Sequence, residues 1–341
     1  MRLLVVKTSS LGDVIHTLPA LTDVHRFQPT ISCDWVVEEA FAEIPRWHPA
    51  VNQVIPIALR RWRKRPWQAR TEWQIFKQKL THHYYDWIID AQGLLKSAFL
   101  TYQAKGQRHG LDWSSAREPF ASFIYQHRYR IPKNQHAVSR VRQLFAQVLG
   151  YENPQNLPDY GIAKSFQIQP ESSIIFLHST TWETKHWPEA YWLELAQSVI
   201  SAGYTIKLPW FTQPEHARAQ RLAALHPKKI ILIPKTNLQG MAVELAQAKA
   251  VVGVDTGLAH LAAALAIPTV TLYGATEPAW TGTFGQRQHH LQVDFPCAPC
   301  LRKICPYAIN PPCYQSLTAE RVWQTVQTLL EKGYQPPLTP P

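Results

Sequence analysis

The chain has 341 residues, enough for about two domains, of which 45% are hydrophobic and 17% charged. This composition excludes an intrinsically disordered protein. The sequence contains no run of about eighteen apolar residues, so it predicts no membrane-spanning helix. The net charge of +11 lies mostly in residues 1–150, which carry 21 Lys and Arg against 11 Asp and Glu. We therefore expect this half to meet an anionic partner, for which nucleic acid, anionic lipid and a phosphorylated substrate all qualify.

The first nineteen residues predict a strand, a turn and a helix. Met1–Val6 is an apolar run typical of a buried parallel strand, and the periodic apolar residues of 14–21 predict a helix. The turn between them is made of small and polar residues, among them Ser9, Ser10, Gly12 and Asp13. Open α/β folds bind ligands at such turns, at the carboxyl edge of the sheet. The alternative is an ordinary turn in which Asp13 only caps the helix.

Strand-like runs alternate with helical patterns through both halves of the chain, which indicates parallel sheets with covered faces. The predicted strands are 1–6, 31–37, 54–57, 87–90 and 108–111 in the first half, and 173–177, 205–208, 230–233, 250–254 and 269–272 in the second. We predict two Rossmann-like domains, at 1–155 and 173–317, joined by a proline-bearing linker at 156–172 and separated by a cleft. A last helix at 318–335 closes the chain and could cross back to the first domain.

A basic loop at 60–67 places five cations and two tryptophans in eight residues. Cations interleaved with aromatic rings suit a nucleic-acid backbone, or anionic lipid headgroups with the rings at the interface. A solvated charged loop is the alternative. Further basic residues could extend this surface: Arg117, Lys133, His136, Arg140 and Arg142.

Two loops of the second half follow predicted strands and suit a phosphate. The first contains Thr180, Thr181 and Lys185, whose hydroxyls and ammonium could seat an anion. The second opens a helix and contains Asp255, Thr256, Gly257 and His260. Its glycine and helix N-terminus favour a phosphate, although a plain helix cap would use the same residue types. The sequence lacks G-x-G-x-x-G, the P-loop motif and D-x-D, so it predicts neither an NAD site nor a metal-held sugar nucleotide.

Four cysteines lie close together near the end of the chain, at Cys297, Cys300, Cys305 and Cys313. Without a predicted signal peptide or span we expect a cytoplasmic protein, in which thiols stay reduced. The four thiols could hold zinc or an iron–sulfur cluster, or the proline-rich loop could pack without metal. A zinc-dependent nucleic-acid-binding protein is therefore one hypothesis for the whole chain.

The order and spacing of the motifs resemble glycosyltransferase family 9, the bacterial lipopolysaccharide heptosyltransferases. The resemblance rests on the following segments: 6–13, 34–39, 54–64, 90–98, 116–119, 135–138, 185–188, 207–210 and 255–258. It implies an α/β fold of the GT-B type and transfer of heptose from ADP-heptose to a Kdo sugar of the lipid A inner core. The cysteine-bearing tail is more similar to members that act on an already heptosylated core. Transfer of heptose to such a core is therefore the alternative function.

The resemblance also implies roles for individual residues. Asp13 would be the general base, and Lys185 would stabilise the departing diphosphate. The implied ADP-heptose site comprises Thr180, Thr181, Lys185, Glu215, Asp255, Thr256, Gly257 and His260. The implied acceptor site comprises Arg60, Arg61, Arg63, Lys64 and Arg117. To these we add Ser9, Ser10 and Gly12, whose small size leaves room for a sugar, and His136 of the basic surface. We expect a raised pKa for Asp13, no metal cofactor, no nucleic acid partner, and peripheral attachment to the anionic cytoplasmic face of the inner membrane.

Overall fold

The chain divides into two compact units, with the boundary between Ser165 and Phe166. The computed structural model describes residues 1–307 and 311–331, with only the backbone of Pro66 and Gln68. The boundary lies inside the segment predicted as the linker.

The first unit is built on a parallel sheet in which six strands are described. The strands are β1 (Arg2–Val6), β2 (Ser32–Glu38), β3 (Val51–Ile57), β4 (Tyr84–Asp90), β5 (Lys105–Leu111) and β6 (His127–Tyr129). Their spatial order is β3-β2-β1-β4-β5-β6. The helices are α1 (Leu11–Ile15), α2 (Leu18–Phe27), α3 (Glu43–Arg46), α4 (Leu59–Trp62), α5 (Pro66–Leu80), α6 (Leu95–Gln103) and α7 (Ala137–Leu149).

The second unit repeats this arrangement, again with six parallel strands among the residues that the structure describes. The strands are β7 (Ser173–Leu177), β8 (Thr205–Leu208), β9 (Ile230–Leu232), β10 (Ala250–Val254), β11 (Thr269–Tyr273) and β12 (Gln288–Gln292), in the order β12-β11-β10-β7-β8-β9. The helices are α8 (Glu189–Ser201), α9 (Gln213–Ala223), α10 (Leu238–Ala246), α11 (Gly257–Ala264), α12 (Pro278–Thr281) and α13 (Ala319–Glu331).

The central strands are buried on both faces, as their continuous apolar sequences predict. Leu3–Val6 of β1 and the whole of β7 and β10 are buried. This burial fixes where each strand ends, and therefore where its following polar turn reaches the carboxyl edge of the sheet.

Helix α13 packs on the second unit, against α8 and the neighbouring strands. Its buried residues Val322, Val326 and Leu329 recur at helical spacing and form one apolar stripe, which joins the core of that unit. Residues 332–335 of the predicted final helix lie outside the described residues. Within residues 1–307 and 311–331, no helix has the length and apolar character needed to cross a bilayer.

Candidate active site

The strand order of each sheet reverses at one point, and the predicted catalytic residues Asp13 and Lys185 follow strands at these points. In the first sheet β1 stands between β2 and β4, and in the second β7 stands between β8 and β10. The chain leaves such a pair of central strands toward opposite sides, so a crevice forms outside their carboxyl ends. The turns that follow β1, β4, β7 and β10 are therefore the places where ligands are expected.

Asp13 lies in the turn after β1, in the first turn of α1. Its Oδ2 accepts hydrogen bonds from the backbone N–H and the hydroxyl of Ser10, both at 2.8 Å. Its Oδ1 lies 3.9 Å from Nζ of the buried Lys7, whose ammonium also donates to the Ala91 carbonyl at 3.0 Å. The capping contact of the alternative interpretation therefore exists. It uses one carboxylate oxygen, and the Asp13 side chain keeps 41% of its surface exposed.

The pKa of Asp13 lies below its ordinary value, so the expected upward shift is wrong. Burial alone would raise this pKa, but the Lys7 ammonium and the hydrogen bonds from Ser10 stabilise the carboxylate more strongly. Arg117 contributes in the same direction. Asp13 is consequently ionised at neutral pH, as a proton acceptor must be, although its basicity is low.

The turn after β4 contacts the turn after β1 and adds a second cation. Lys96 donates to the Ser9 hydroxyl at 2.9 Å, and Gln92 accepts from the backbone and hydroxyl of Thr8. The buried carboxylate of Asp90 holds this turn by accepting from the backbone N–H groups of Gln92 and Gly93. The small residues of the turn after β1 thus lie beside Lys7 and Lys96.

The basic loop divides into residues that are paired and residues that are exposed. Arg61 makes ion pairs with Glu39 at 3.0 Å and Glu72 at 2.7 Å, so it joins α4 to α5 and to the short 3₁₀ helix Glu39–Phe41 that follows β2. Arg60 is exposed and stacks its guanidinium over the Phe41 ring, and Arg63 and Lys64 are exposed as well. Burial lowers the pKa of Lys96, and the charges of Arg60 and Arg63 lower it further, which places the loop within electrostatic range of that residue.

Two further predicted acceptor residues lie near this turn or cap a helix. Arg117 is exposed, and its charge reaches both Lys7 and Asp13. His136 is the N-cap of α7, where its Nδ1 accepts from the Val138 N–H at 3.2 Å. Gly12 is the second residue of α1.

In the second unit the turns after β7 and β10 meet through an ion pair. Lys185 donates to Oδ2 of Asp255 at 2.6 Å, and both side chains are largely buried. Asp255 also accepts from the Thr276 hydroxyl at 2.7 Å and lies 3.8 Å from Nε2 of His260. Burial alone would raise the pKa of Asp255, but the contacts with His260 and Lys185 hold it well below its ordinary value. The pair fixes the Lys185 ammonium, which has three donors, at the switch point.

The remaining predicted donor residues surround this pair or support a neighbouring helix. The Thr180 hydroxyl donates to the Asp255 carbonyl at 3.3 Å, and Thr181 is exposed. Thr256 is the N-cap of α11, and Gly257 is its first residue. Glu215 forms a capping box with Thr212 at the start of α9, so its Oε2 binds backbone N–H groups of that turn.

The geometry adds residues that the sequence did not single out. Lys7 lies beside Asp13, Gln92 and Lys96 contact Thr8 and Ser9 of the same turn, and Thr276 completes the surroundings of Asp255. The Trp182 ring lies 4.6 Å from the Lys185 ammonium. Lys96 and Thr276 each follow a strand next to a predicted site strand, so the strand order would have pointed to them.

The four cysteines near the end line one cavity of about 220 Å³ in the second unit. Cys313 is buried, and burial together with the charges of the other three thiols raises its pKa to about 11. Among the residues that the structure describes, no group of three or more His, Cys, Asp or Glu side chains is placed to hold a metal ion.

Comparison with known proteins decides the family. The model of glycosyltransferase family 9 (heptosyltransferase) matches residues 73–309. Lipopolysaccharide heptosyltransferase 1 of Pseudomonas aeruginosa is 52% identical over 349 residues, which cover 97% of this chain and 98% of that protein. The chain belongs to glycosyltransferase family 9. The protein of the same name from Escherichia coli is 51% identical to this family 9 chain, over 84% of its length and 92% of that relative.

Solved family 9 structures confirm the α/β fold of the GT-B type. The structure of E. coli heptosyltransferase WaaC with ADP has a TM-score of 0.88 and 46% identity, covering 96% of this chain and all of that one. A second WaaC structure, with ADP-2-deoxy-2-fluoro heptose, has a TM-score of 0.83 at the same identity and covers 99% of that chain. The transferase hypothesis is thus confirmed, and the chain is a heptosyltransferase of lipopolysaccharide core assembly.

Proposed function

We propose that this enzyme transfers heptose from ADP-L-glycero-D-manno-heptose to Kdo of the lipid A inner core, with inversion at the anomeric carbon. The similarity over 97% of the chain to a lipopolysaccharide heptosyltransferase 1 carries this proposal. The match to heptosyltransferase 2 of E. coli, at 37% identity, spans only 28% of the chain. This difference favours Kdo over an already heptosylated core as the acceptor.

The donor groups lie on the second unit. ADP-heptose would place its diphosphate near the Lys185 ammonium and the N-terminus of α11 at Thr256 and Gly257. As the bond from the anomeric carbon to the phosphate oxygen breaks, negative charge grows on the diphosphate. A fixed cation and the positive end of a helix stabilise that charge, in the place that a divalent metal takes in other transferases.

The acceptor groups lie on the first unit. In our proposal the Asp13 carboxylate removes the proton from the acceptor hydroxyl, and the oxygen attacks the anomeric carbon on the face opposite the diphosphate. The sugar passes through an oxocarbenium-like state, and one direct displacement inverts its configuration. Cations near Asp13, among them Lys96, Arg63 and Arg117, would bind the carboxylate and phosphate groups of an acidic lipid-linked sugar.

The two candidate acceptors can be separated directly. Release of ADP from ADP-heptose is measured with Kdo-lipid A and with its heptosylated product side by side. We expect kcat/KM to be at least about tenfold higher for Kdo-lipid A. An equal or reversed preference would assign the enzyme to the later step.

The low pKa of Asp13 predicts a pH profile. Activity should fall on acidification only where Asp13 becomes protonated, which lies below the ordinary range of an aspartate because of Lys7. Replacing Lys7→Met removes the stabilising charge, so the acid limb of kcat/KM should move to higher pH. Lys207→Met, which removes a paired lysine of the second unit, should leave that limb in place. An unmoved limb in Lys7→Met would show that Lys7 does not tune the base.

The division of the basic loop predicts different results for two neighbouring arginines. Arg63→Glu should raise the KM for the acceptor at least about tenfold and spare the KM for ADP-heptose, because an exposed cation is replaced by a repelling anion. Arg61→Glu instead places a third carboxylate beside Glu39 and Glu72, so it should lower the thermal midpoint of unfolding. Steady-state kinetics and calorimetry measure the two effects. A donor KM that rises equally in Arg63→Glu would contradict the assignment.

A further inference from the structure

An exposed aromatic cluster lies on the first unit, close to the acceptor groups. Trp113, Phe120 and Phe123 contact one another, with ring centroids 5.1 to 6.2 Å apart. Phe120 is 63% exposed, Phe123 61% and Trp113 49%. Aromatic rings that contact each other yet face water are unusual, because each large side chain gains free energy by leaving water.

The local backbone holds these rings outward. Pro119–Ile124 is a 3₁₀ helix, in which residues three apart lie on one line, so Phe120 and Phe123 point the same way. On the opposite side Ala121 packs with Ala98 of α6 and with Tyr125 in a small buried core. The outward rings are therefore carried on an anchored turn.

Arginines border the aromatic cluster. The Arg128 guanidinium lies 5.9 Å from the Phe123 ring centroid, and its Nε donates to the Tyr125 carbonyl. Arg108 donates to the Ile124 carbonyl and stacks over the exposed ring of Tyr102. The segment 119–130 contains two arginines and neither Asp nor Glu. Aromatic rings flanked by cations are the arrangement that binds an anionic bilayer surface, where rings enter the headgroup region and cations meet lipid phosphates.

The position of the cluster relates it to the acceptor groups. Trp113 follows β5 on the carboxyl side of the sheet, the side on which Asp13 follows β1, and Phe120 and Phe123 lie on the connection that leads from there to the start of β6. Glu118, which precedes the 3₁₀ helix, accepts from the Leu95 N–H, and its own N–H donates to the Gly93 carbonyl. The turn after β4 thus connects the cluster to the lysine that contacts Ser9.

We propose that Trp113, Phe120 and Phe123, with Arg108 and Arg128, form the surface that docks this enzyme on anionic lipid headgroups. The surface is distinct from the basic loop at 60–67. Docking there would hold the turn that contains Asp13 close to the sugar of a lipid anchored in the same bilayer. This positioning of Asp13 rests on the proposed function, whereas the docking on lipid does not.

The docking is tested by co-sedimentation with vesicles of phosphatidylethanolamine and phosphatidylglycerol, without either substrate. We expect the double variant Phe120→Ser, Phe123→Ser to lower the partition coefficient at least about tenfold, since two rings no longer leave water. The matched control, Ile75→Ser with Tyr84→Ser, removes two apolar side chains of similar exposure, 50% and 62%. Tyr84 is the first residue of β4, so it lies at the amino ends of the strands, opposite to the carboxyl ends that Asp13 and Trp113 follow. The control should therefore bind like the wild type.

A conservative variant and two further measurements test whether the aromatic rings themselves cause the binding. Phe120→Trp with Phe123→Trp should keep the binding, and circular dichroism should show an unchanged fold for all variants. Equal binding by the serine variant and the wild type would overturn the proposal. It would equally be overturned if the serine variant dissociated a dimer in analytical ultracentrifugation while binding vesicles normally, because a second copy would then cover the cluster.

A second pair of assays separates docking from function. Transfer to a de-acylated Kdo acceptor in solution should be unchanged within about twofold in the serine variant, while transfer to Kdo-lipid A in vesicles should fall with the partition coefficient. If the wild type fails on both acceptors, the proposed function fails and the vesicle measurement still decides the docking. An equal loss on both acceptors in the serine variant would place the rings in the acceptor site and overturn the docking role.

Discussion

Replacing Asp13→Asn should lower turnover at least about a hundredfold and leave ADP binding nearly unchanged. Asn keeps the size of the side chain and an oxygen that accepts from Ser10, so the start of α1 is preserved. What it loses is the negative charge that would take the proton from the acceptor hydroxyl. Turnover is measured with ADP-heptose and Kdo-lipid A, and ADP binding by calorimetry.

The chain offers a matched control for this aspartate. Asp112 follows β5 as Asp13 follows β1, and it accepts from the Ser115 N–H at 2.8 Å and from the Ser114 hydroxyl at 2.9 Å. Asp112→Asn should therefore change turnover little. If Asp13 served only as a cap, both variants would cost about 1 kcal/mol of stability or less and keep their turnover. Retained turnover in Asp13→Asn would refute its role as the base.

Replacing Lys185→Ala should lower kcat about a hundredfold to a thousandfold and weaken ADP binding. The ammonium is fixed by Asp255 at 2.6 Å and by the Trp182 ring, so it needs little reorganisation when charge appears on the diphosphate. Removing one such preorganised group from a site that stabilises charge costs about 2.7 to 4 kcal/mol of the barrier.

The ion pair itself could influence stability, and Lys207 controls for this effect. Lys207 is buried to a similar degree and pairs with Glu244 at 2.9 Å and Glu171 at 3.2 Å, away from the switch point. Lys207→Ala should lower the thermal midpoint without the loss in kcat. If both variants reduced kcat equally, the effect of Lys185 would be structural, and its role toward the diphosphate would be contradicted.

The apolar runs predicted the central strands of both sheets because burial on both faces leaves a continuous pattern. The short strands β6 and β12 were not predicted, since each lies at the edge of its sheet and is only partly buried. Their sequences, His127–Tyr129 and Gln288–Gln292, contain no apolar run. Edge strands of this kind are defined by their neighbour rather than by their own composition.

Candidate site residues could be predicted where they lie in one turn, but contacts between two turns could not. Asp13 and Lys185 each follow an apolar strand, which is why the sequence singles both of them out as candidates. The contact of Lys96 with Ser9 joins residues 87 positions apart and exists because β1 and β4 are adjacent. The predicted direction of the Asp13 pKa shift was wrong because the sequence does not show that the Lys7 ammonium lies 3.9 Å from this carboxylate. The capping role of Glu215 was readable from Thr212, three residues before it.

The mass of the lipid product shows whether the enzyme adds heptose to Kdo-lipid A. Purified protein is incubated with ADP-heptose and Kdo-lipid A, and the lipid is analysed by mass spectrometry. We predict that Kdo-lipid A gains the mass of a single heptose and that one ADP is released for each. An unchanged Kdo-lipid A, together with heptose added only to a core that already carries one, would contradict Kdo as the acceptor.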